Sequence, residues 1–132
     1  MNSNILIIED DQKIKFNLEL LLKFNDYNTI AAKDGIEAID ILSKLDPLPD
    51  LILCDILMPR MGGLEFFQEK LKKQEWKHIP FIFLTAVIDP HETKLARDLG
   101  ADDYIMKPFN EKKLLSSIAH LINQNKGVYS QD

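Results

Sequence analysis

Four short stretches of this sequence carry side chains that could do chemistry: Glu9-Asp10-Asp11, Asp55, Thr85-Ala86 and Lys107-Pro108. Two carboxylates held close together raise one another's pKa, whereas a hard divalent cation lets both stay ionised. An all-oxygen set suits Mg²⁺, which prefers octahedral oxygen geometry, keeps several waters and binds through one or two carboxylates plus phosphate oxygens. Lys107 adds a second positive charge and Thr85 a hydroxyl. Arranged around one carboxylate, these groups suit a transferring phosphoryl group, whose charge spreads over its equatorial oxygens and is stabilised mainly by electrostatics. An aspartate can also be the nucleophile and hold the phosphoryl as an acyl phosphate.

Each residue taken alone has a plainer explanation. The acidic triplet could cap a helix, because Asp is a favoured N-cap and carboxylates suit a helix N-terminus; Asp11 fits that role. Asp55 could be a turn residue, Thr85 a satisfied hydroxyl at a strand end and Lys107 a solvated lysine. What the plain explanations leave unexplained is convergence. Several carboxylates and a lysine from distant chain positions would meet at one crevice, and packing like charges without a counter-ion is costly.

That convergence follows from the elements. Short apolar runs at Ile5–Ile8, Tyr27–Ala32, Leu51–Cys54, Phe81–Leu84 and Tyr104–Met106 lack clear alternation, as strands buried on both faces do. Between them lie helical patterns. Asp11 to Phe24 places Ile14, Leu18, Leu21 and Leu22 on one side, and Asp34 to Leu45 does the same with Ala38, Ile39, Leu42 and Leu45. A third helix follows Gly62-Gly63, with Leu64, Phe67 and Leu71 on its apolar side, and ends before Pro80. A fourth opens on Asp89-Pro90 with Glu92 completing a capping box, and stops at Gly100. A fifth runs from Asn110 to about Asn123, with Leu114, Leu115, Ile118, Ala119, Leu121 and Ile122 inward. Five strands alternating with five helices predict an α/β fold, a parallel sheet covered on both faces. In such sheets the site lies beyond the carboxyl ends of the strands, where strand order reverses. The four stretches all sit at those ends.

With 132 residues the chain is expected to be one domain, residues 1–124, followed by a flexible tail or the start of a linker at 125–132. No apolar run approaches the ~20 residues that span a bilayer, and the N-terminus has no secretory signal pattern. Cys54 is the single cysteine, so no internal disulfide can form. These features predict a soluble cytoplasmic protein without membrane insertion. The net charge of −5 argues against direct nucleic-acid binding by this domain, which needs clustered Lys and Arg. Residues 1–69 hold 6 basic and 13 acidic residues against 10 and 8 in residues 70–132, so the acid gathers in the half that carries Glu9, Asp10 and Asp55.

In order and spacing, Ile5-Leu-Ile-Ile-Glu9-Asp10-Asp11, Asp55-Ile-Leu-Met-Pro59, Gly62-Gly63, Leu84-Thr85-Ala86, Gly100-Ala-Asp-Asp-Tyr104 and Lys107-Pro108-Phe109 resemble the receiver domain of two-component response regulators. The resemblance covers nearly the whole chain and implies a flavodoxin-like sheet of order 2-1-3-4-5. It implies that Asp55 accepts a phosphoryl group from a histidine kinase or a histidine phosphotransfer protein. Asp10 and Asp55 would then bind Mg²⁺ directly, Glu9 would bind it through water, and the Leu57 carbonyl would be a third protein ligand. Thr85 would hydrogen-bond the phosphoryl group, Lys107 would pair with it, and the backbone N–H groups of Ile56 and Ala86 would complete the cradle. Lys107 and Pro108 would be joined by a cis peptide. Tyr104 matches the family's switch aromatic, which moves with Thr85 and biases the face formed by helix four, strand five and helix five. That face would engage an output domain, an effector or a second copy. The family is a signalling module, not an enzyme acting on other molecules.

Leu57 and Val87 stand where family members tune phosphoryl lifetime, and both are aliphatic, which suggests a long-lived phosphoryl state. Lys70, Lys72, Lys73 and Lys77 read as a solvated basic helix face. His78, His91 and His120 lack metal-ligand spacing, and Trp76 and Cys54 read as structural. A rival class, haloacid-dehalogenase-like phosphohydrolases, uses the same chemistry but carries Asp-x-Asp-x-Thr/Val after its first strand; here that place reads Glu-Asp-Asp-Gln-Lys. The parent could be a single-domain regulator, or the receiver could be excised from a hybrid histidine kinase or multidomain regulator.

Overall fold

The computed structural model describes residues 2–86 and 89–130, with side chains described to residue 125. Val87 and the last two residues of the expected tail lie outside the described residues. Strands and helices alternate from end to end: β1 (Asn4–Ile8), α1 (Gln12–Phe24), β2 (Asn28–Ala32), α2 (Gly35–Lys44), β3 (Leu51–Cys54), α3 (Gly63–Leu71), β4 (Phe81–Thr85), α4 (Pro90–Asp98), β5 (Asp103–Met106) and α5 (Glu111–Ser130). All strand pairings are parallel and the order is β2-β1-β3-β4-β5, as expected.

Alternation along each strand splits the core in two. Leu6, Ile8, Ile52, Cys54, Phe81 and Phe83 pack with Ala38, Leu42, Phe66, Phe67 and Ala96, so α2, α3 and α4 cover one face. Ile5, Ile7, Leu51, Leu53, Ile82, Leu84 and Ile105 pack with Leu18, Leu22, Leu114 and Ile118, so α1 and α5 cover the other. A strand buried on both faces has no polar side to alternate with, which is why these runs read as continuously apolar.

Helix starts follow local chemistry. The Asp11 carboxylate accepts from the Lys13 and Ile14 N–H groups, Asp34 from Glu37, and Asp89 from His91, so each caps its helix. Gly100 ends α4 with φ +97°, a conformation that favours glycine.

Two helices differ from their sequence patterns. On α3 the buried stripe is Gly63, Phe66, Phe67 and Lys70, and Leu71 is 37% exposed, so the apolar pattern Leu64-Phe67-Leu71 places the inner face about one residue off. Lys70 is 2% exposed and does not belong to a solvated face. Both phenylalanines go inward to stack against β4, Phe66 at 6.1 Å and Phe67 at 4.6 Å from the Phe81 ring, and that rotation carries Lys70 in with them. Helix α5 continues to Ser130, beyond the end near Asn123 that its polar composition suggests.

Candidate functional site

The reversal of strand order at β1 fixes where the acids emerge. Strand β1 is flanked by β2 and β3, and Ile8 stands opposite Cys54 in the register. The next residues, Glu9 and Asp55, therefore leave the sheet side by side. The Glu9 N–H donates to the Ala32 carbonyl at 2.9 Å and the Asp55 N–H to the Ile8 carbonyl at 3.0 Å, which holds both turns to the sheet edge. One carboxylate oxygen from each of Glu9, Asp10 and Asp55 lies within 4.8 Å of the others. Glu9 is buried, Asp55 half-buried and Asp10 exposed, so the cluster opens to solvent through Asp10.

Strand β5 brings in the counter-charge. Thr85 pairs with Met106, and Lys107 follows one residue later, its N–H donating to the Thr85 carbonyl at 3.0 Å. The Lys107–Pro108 peptide is cis. Lys107 Nζ then crosses to donate to Glu9 Oε1 at 2.5 Å and Asp55 Oδ2 at 3.1 Å, with only 11% of its side chain exposed. Burial pulls the Lys107 pKa down, but hydrogen bonds and charge from Glu9 and Asp55 outweigh it and hold the ammonium above its ordinary value. For Glu9 burial is the larger influence, and its pKa is raised despite the Lys107 hydrogen bond. One ammonium does not fully compensate this crowd of carboxylates. An oxygen cluster of that charge, partly open, fits the donor set of a hard divalent cation.

The β3–α3 loop closes over the acid. The Ile56 N–H donates to Asp55 Oδ1 at 2.7 Å, so one expected cradle group already touches the carboxylate. The Gly63 N–H donates to the Ile56 carbonyl at 2.8 Å. Ala86 is exposed beside the site, Thr85 is fully buried at the end of β4, and Leu57 is 65% exposed in the loop. Tyr104 is half-buried, its ring 6.2 Å from that of Phe83. The structure thus brings Glu9, Asp10, Asp55, Ile56 and Lys107 together, with Thr85 and Ala86 at the adjoining strand end. Tyr104 stands on the neighbouring strand, β5, opposite Phe83.

Residue Arg60, which the sequence does not single out, also shapes this loop. Its Nε and one terminal nitrogen both donate to Asp34 Oδ2 at 2.7 Å, linking the loop to the start of α2. Asp34 is 1% exposed and also caps that helix. The partners are 26 positions apart in sequence, which leaves no local signal for the pair.

The family profile of the response regulator receiver domain matches residues 5–119. The chain belongs to the response regulator receiver family. Among curated relatives, this receiver is 34% identical over 126 residues to response regulator MprA of Mycobacterium bovis, covering 96% of the chain and 53% of the relative. It therefore spans about half the length of the curated relatives it matches. Among solved structures, the signal receiver domain of a histidine kinase from Syntrophus aciditrophicus superposes with a TM-score of 0.86 at 33% identity, covering 98% of this receiver and 95% of that chain. The chemotaxis response regulator CheY4 of Vibrio cholerae gives a TM-score of 0.82 at 27% identity over 92% of this chain and 99% of its own. The receiver domain of a sensor histidine kinase from Pseudomonas aeruginosa gives 0.84 at 25% identity, covering 93% and 99%, and was solved with magnesium coordinated in its active-site cleft. The receiver is thus a two-component signalling domain of flavodoxin-like fold, and no helix among its described residues is long and apolar enough to cross a membrane.

Proposed function

We propose that this receiver takes a phosphoryl group onto Asp55 from a phosphohistidine of a histidine kinase or phosphotransfer protein. The observation that carries the reading is Lys107 Nζ bridging Glu9 and Asp55 at the edge of a three-carboxylate cluster. An Asp55 carboxylate oxygen attacks phosphorus as the phosphorus–nitrogen bond breaks, and the electron pair returns to the imidazole, which takes up a proton. Lys107 moves its donor capacity from the carboxylates to the phosphoryl oxygens, where charge is concentrated. The Ile56 and Ala86 N–H groups and the Thr85 hydroxyl supply the remaining donors. Asp10, Asp55 and the Leu57 carbonyl would hold Mg²⁺ directly and Glu9 through water; when bound, the cation neutralises the carboxylates and the phosphoryl oxygens together.

Thr85 and Tyr104 belong to adjacent strands, β4 and β5, and Tyr104 packs on Phe83 of β4. Drawing Thr85 toward a phosphoryl group alters the packing that Tyr104 senses, and the α4–β5–α5 face carries the change to an output domain, an effector or a second copy. A cytoplasmic setting belongs to the same reading. The receiver catalyses only its own phosphorylation and dephosphorylation.

Intact mass after incubation with acetyl phosphate tests this. One phosphoryl adduct that needs Mg²⁺, disappears in Asp55→Asn and is strongly reduced in Lys107→Ala is expected. Equal labelling of Asp55→Asn and the unaltered protein would overturn the assignment.

A further inference from the structure

At the opposite edge of the sheet, a cavity of about 350 Å³ is walled by α3, the loop before β4, the turn before β5 and α5. Lys70, Lys77, His78, Asp102, Gln124 and Asn125 supply its polar lining, and Phe67 part of its apolar wall. Lys70 is the buried member of that polar lining, 2% exposed. Its Nζ donates to the Lys77 carbonyl at 3.1 Å and stands over two aromatic rings, 5.4 Å from the Phe67 centroid and 5.7 Å from that of Phe81.

An ammonium has three N–H donors, and the described residues give this one a single acceptor. An N-acyl lysine has one N–H, so acylation would keep the Lys77 hydrogen bond while removing a charge that burial penalises. The product also has an oxygen to satisfy, and the Gln124 and Asn125 amides line the same space. At the mouth, Lys77 and His78 are exposed groups able to face an incoming anion.

We propose that Lys70 is an acylation site, its amine taking the acyl group of a small acyl phosphate that enters this cavity with its phosphate toward Lys77 and His78. The neutral amine attacks the carbonyl carbon, the bond from that carbon to the phosphate oxygen breaks, and the phosphate leaves carrying the amine proton. The products are an amide and inorganic phosphate. This is the other end of the donor from the one Asp55 attacks: phosphoryl transfer would leave the carboxylic acid, acyl transfer leaves phosphate. Burial supports the chemistry further by lowering the Lys70 pKa to about 8, with Asp102 the one charge opposing the shift. Near pH 8 about half of such an amine is free, against under ~1% for a solvated lysine.

The test treats the whole protein with limiting acetyl phosphate near pH 8, without divalent cation, and follows acetylation by peptide mapping. Lys70 is expected to label about tenfold faster than the exposed Lys13 and Lys112, with that ratio rising as pH falls from about 9.5 to 7.5. Labelling of Lys70 no faster than of those two overturns the proposal, as does a ratio indifferent to pH. A Lys77→Ala/His78→Ala variant is expected to slow labelling of Lys70 by acetyl phosphate several-fold while leaving labelling by the uncharged donor phenyl acetate unchanged. Equal slowing of both donors, or of neither, overturns acyl phosphates as the donor class. Because the readout is an acetyl group on Lys70, it is independent of any phosphoryl adduct on Asp55.

Discussion

The α-carbon of Gly63 backs directly onto the Asp55 carbonyl: a Cβ at Gly63 would lie 2.1 Å from that oxygen. The neighbour is backbone, which cannot swing aside as a flexible side chain would. The first turn of α3 and the turn that presents Asp55 can approach this closely because residue 63 has no side chain. Gly63→Ala is therefore expected to destabilise the fold by about 1–3 kcal/mol and to slow adduct formation at Asp55, because relief comes from moving the Asp55 turn. Gly62→Ala, whose Cβ would sit 2.8 Å from the Ile56 carbonyl, is expected to do less on both counts. Urea midpoints and labelling rates of the two variants check this.

Such a contact explains what the sequence does and does not disclose. The strands were legible because burial on both faces leaves uninterrupted apolar runs, and the placement of Glu9, Asp55, Thr85 and Lys107 follows from their positions just after those runs. The direction of α3 was not legible at the resolution of one residue. Hydropathy alone puts Leu71 inside and Lys70 outside, whereas packing of Phe66 and Phe67 on Phe81 turns the helix the other way. The four-carbon stem of lysine can be buried like an aliphatic chain, so its charged end hides that capacity from any hydropathy pattern. The pairing of Arg60 with Asp34 depends on two loops meeting in space, and nothing local to either residue announces it.

Burial of Lys70 has a cost that depends on pH. Its pKa falls from an ordinary 10.5 to about 8 in the folded protein, because burial disfavours the ammonium. Between these values the unfolded chain binds more protons than the folded one, so this residue makes stability rise with pH across that window and costs most below about pH 8. At about 1.4 kcal/mol for each pH unit between the two values, the penalty at neutral pH is at most about 3 kcal/mol. Lys70→Met keeps the packed stem and removes the charge. It is expected to stabilise the protein at neutral pH by about 1–3 kcal/mol, with the advantage fading toward pH 10. Unfolding free energies of both proteins at several pH values decide it; a variant of equal or lower stability at neutral pH refutes the account.

Crowding of Glu9, Asp10 and Asp55 predicts a response to metal. A ligand that binds the folded state alone adds stability that grows with the logarithm of its concentration. Millimolar Mg²⁺ is expected to raise the thermal midpoint of the protein by a few degrees, and Asp10→Asn to abolish most of that rise. Asp10 is chosen because it is the exposed member and Lys107 bonds the other two, so its loss disturbs the resting network least. A Mg²⁺ response that survives in Asp10→Asn would place the cation elsewhere.

Arg60 combines two features whose effects can be separated. It has a left-handed backbone, φ +66°, and its side chain donates twice to the buried Asp34 carboxylate. Burial would raise the Asp34 pKa, but the Arg60 hydrogen bond and the Glu37 N–H outweigh it and hold the carboxyl below its ordinary value. A carboxyl depressed in this way contributes stability above its unfolded pKa and loses it as pH falls through the folded value. Arg60→Ala keeps an unfavourable positive φ and leaves Asp34 with only its helix-cap bond, so a loss of about 1–3 kcal/mol at neutral pH is expected, shrinking below about pH 4 as Asp34 protonates. Arg60→Gly removes the same guanidinium but relieves the backbone, and is expected to recover about 1 kcal/mol of that loss. If the two variants are equally stable, φ contributes nothing and the clamp alone accounts for the effect; if Arg60→Gly matches the unaltered protein, the clamp is dispensable and the backbone was the constraint.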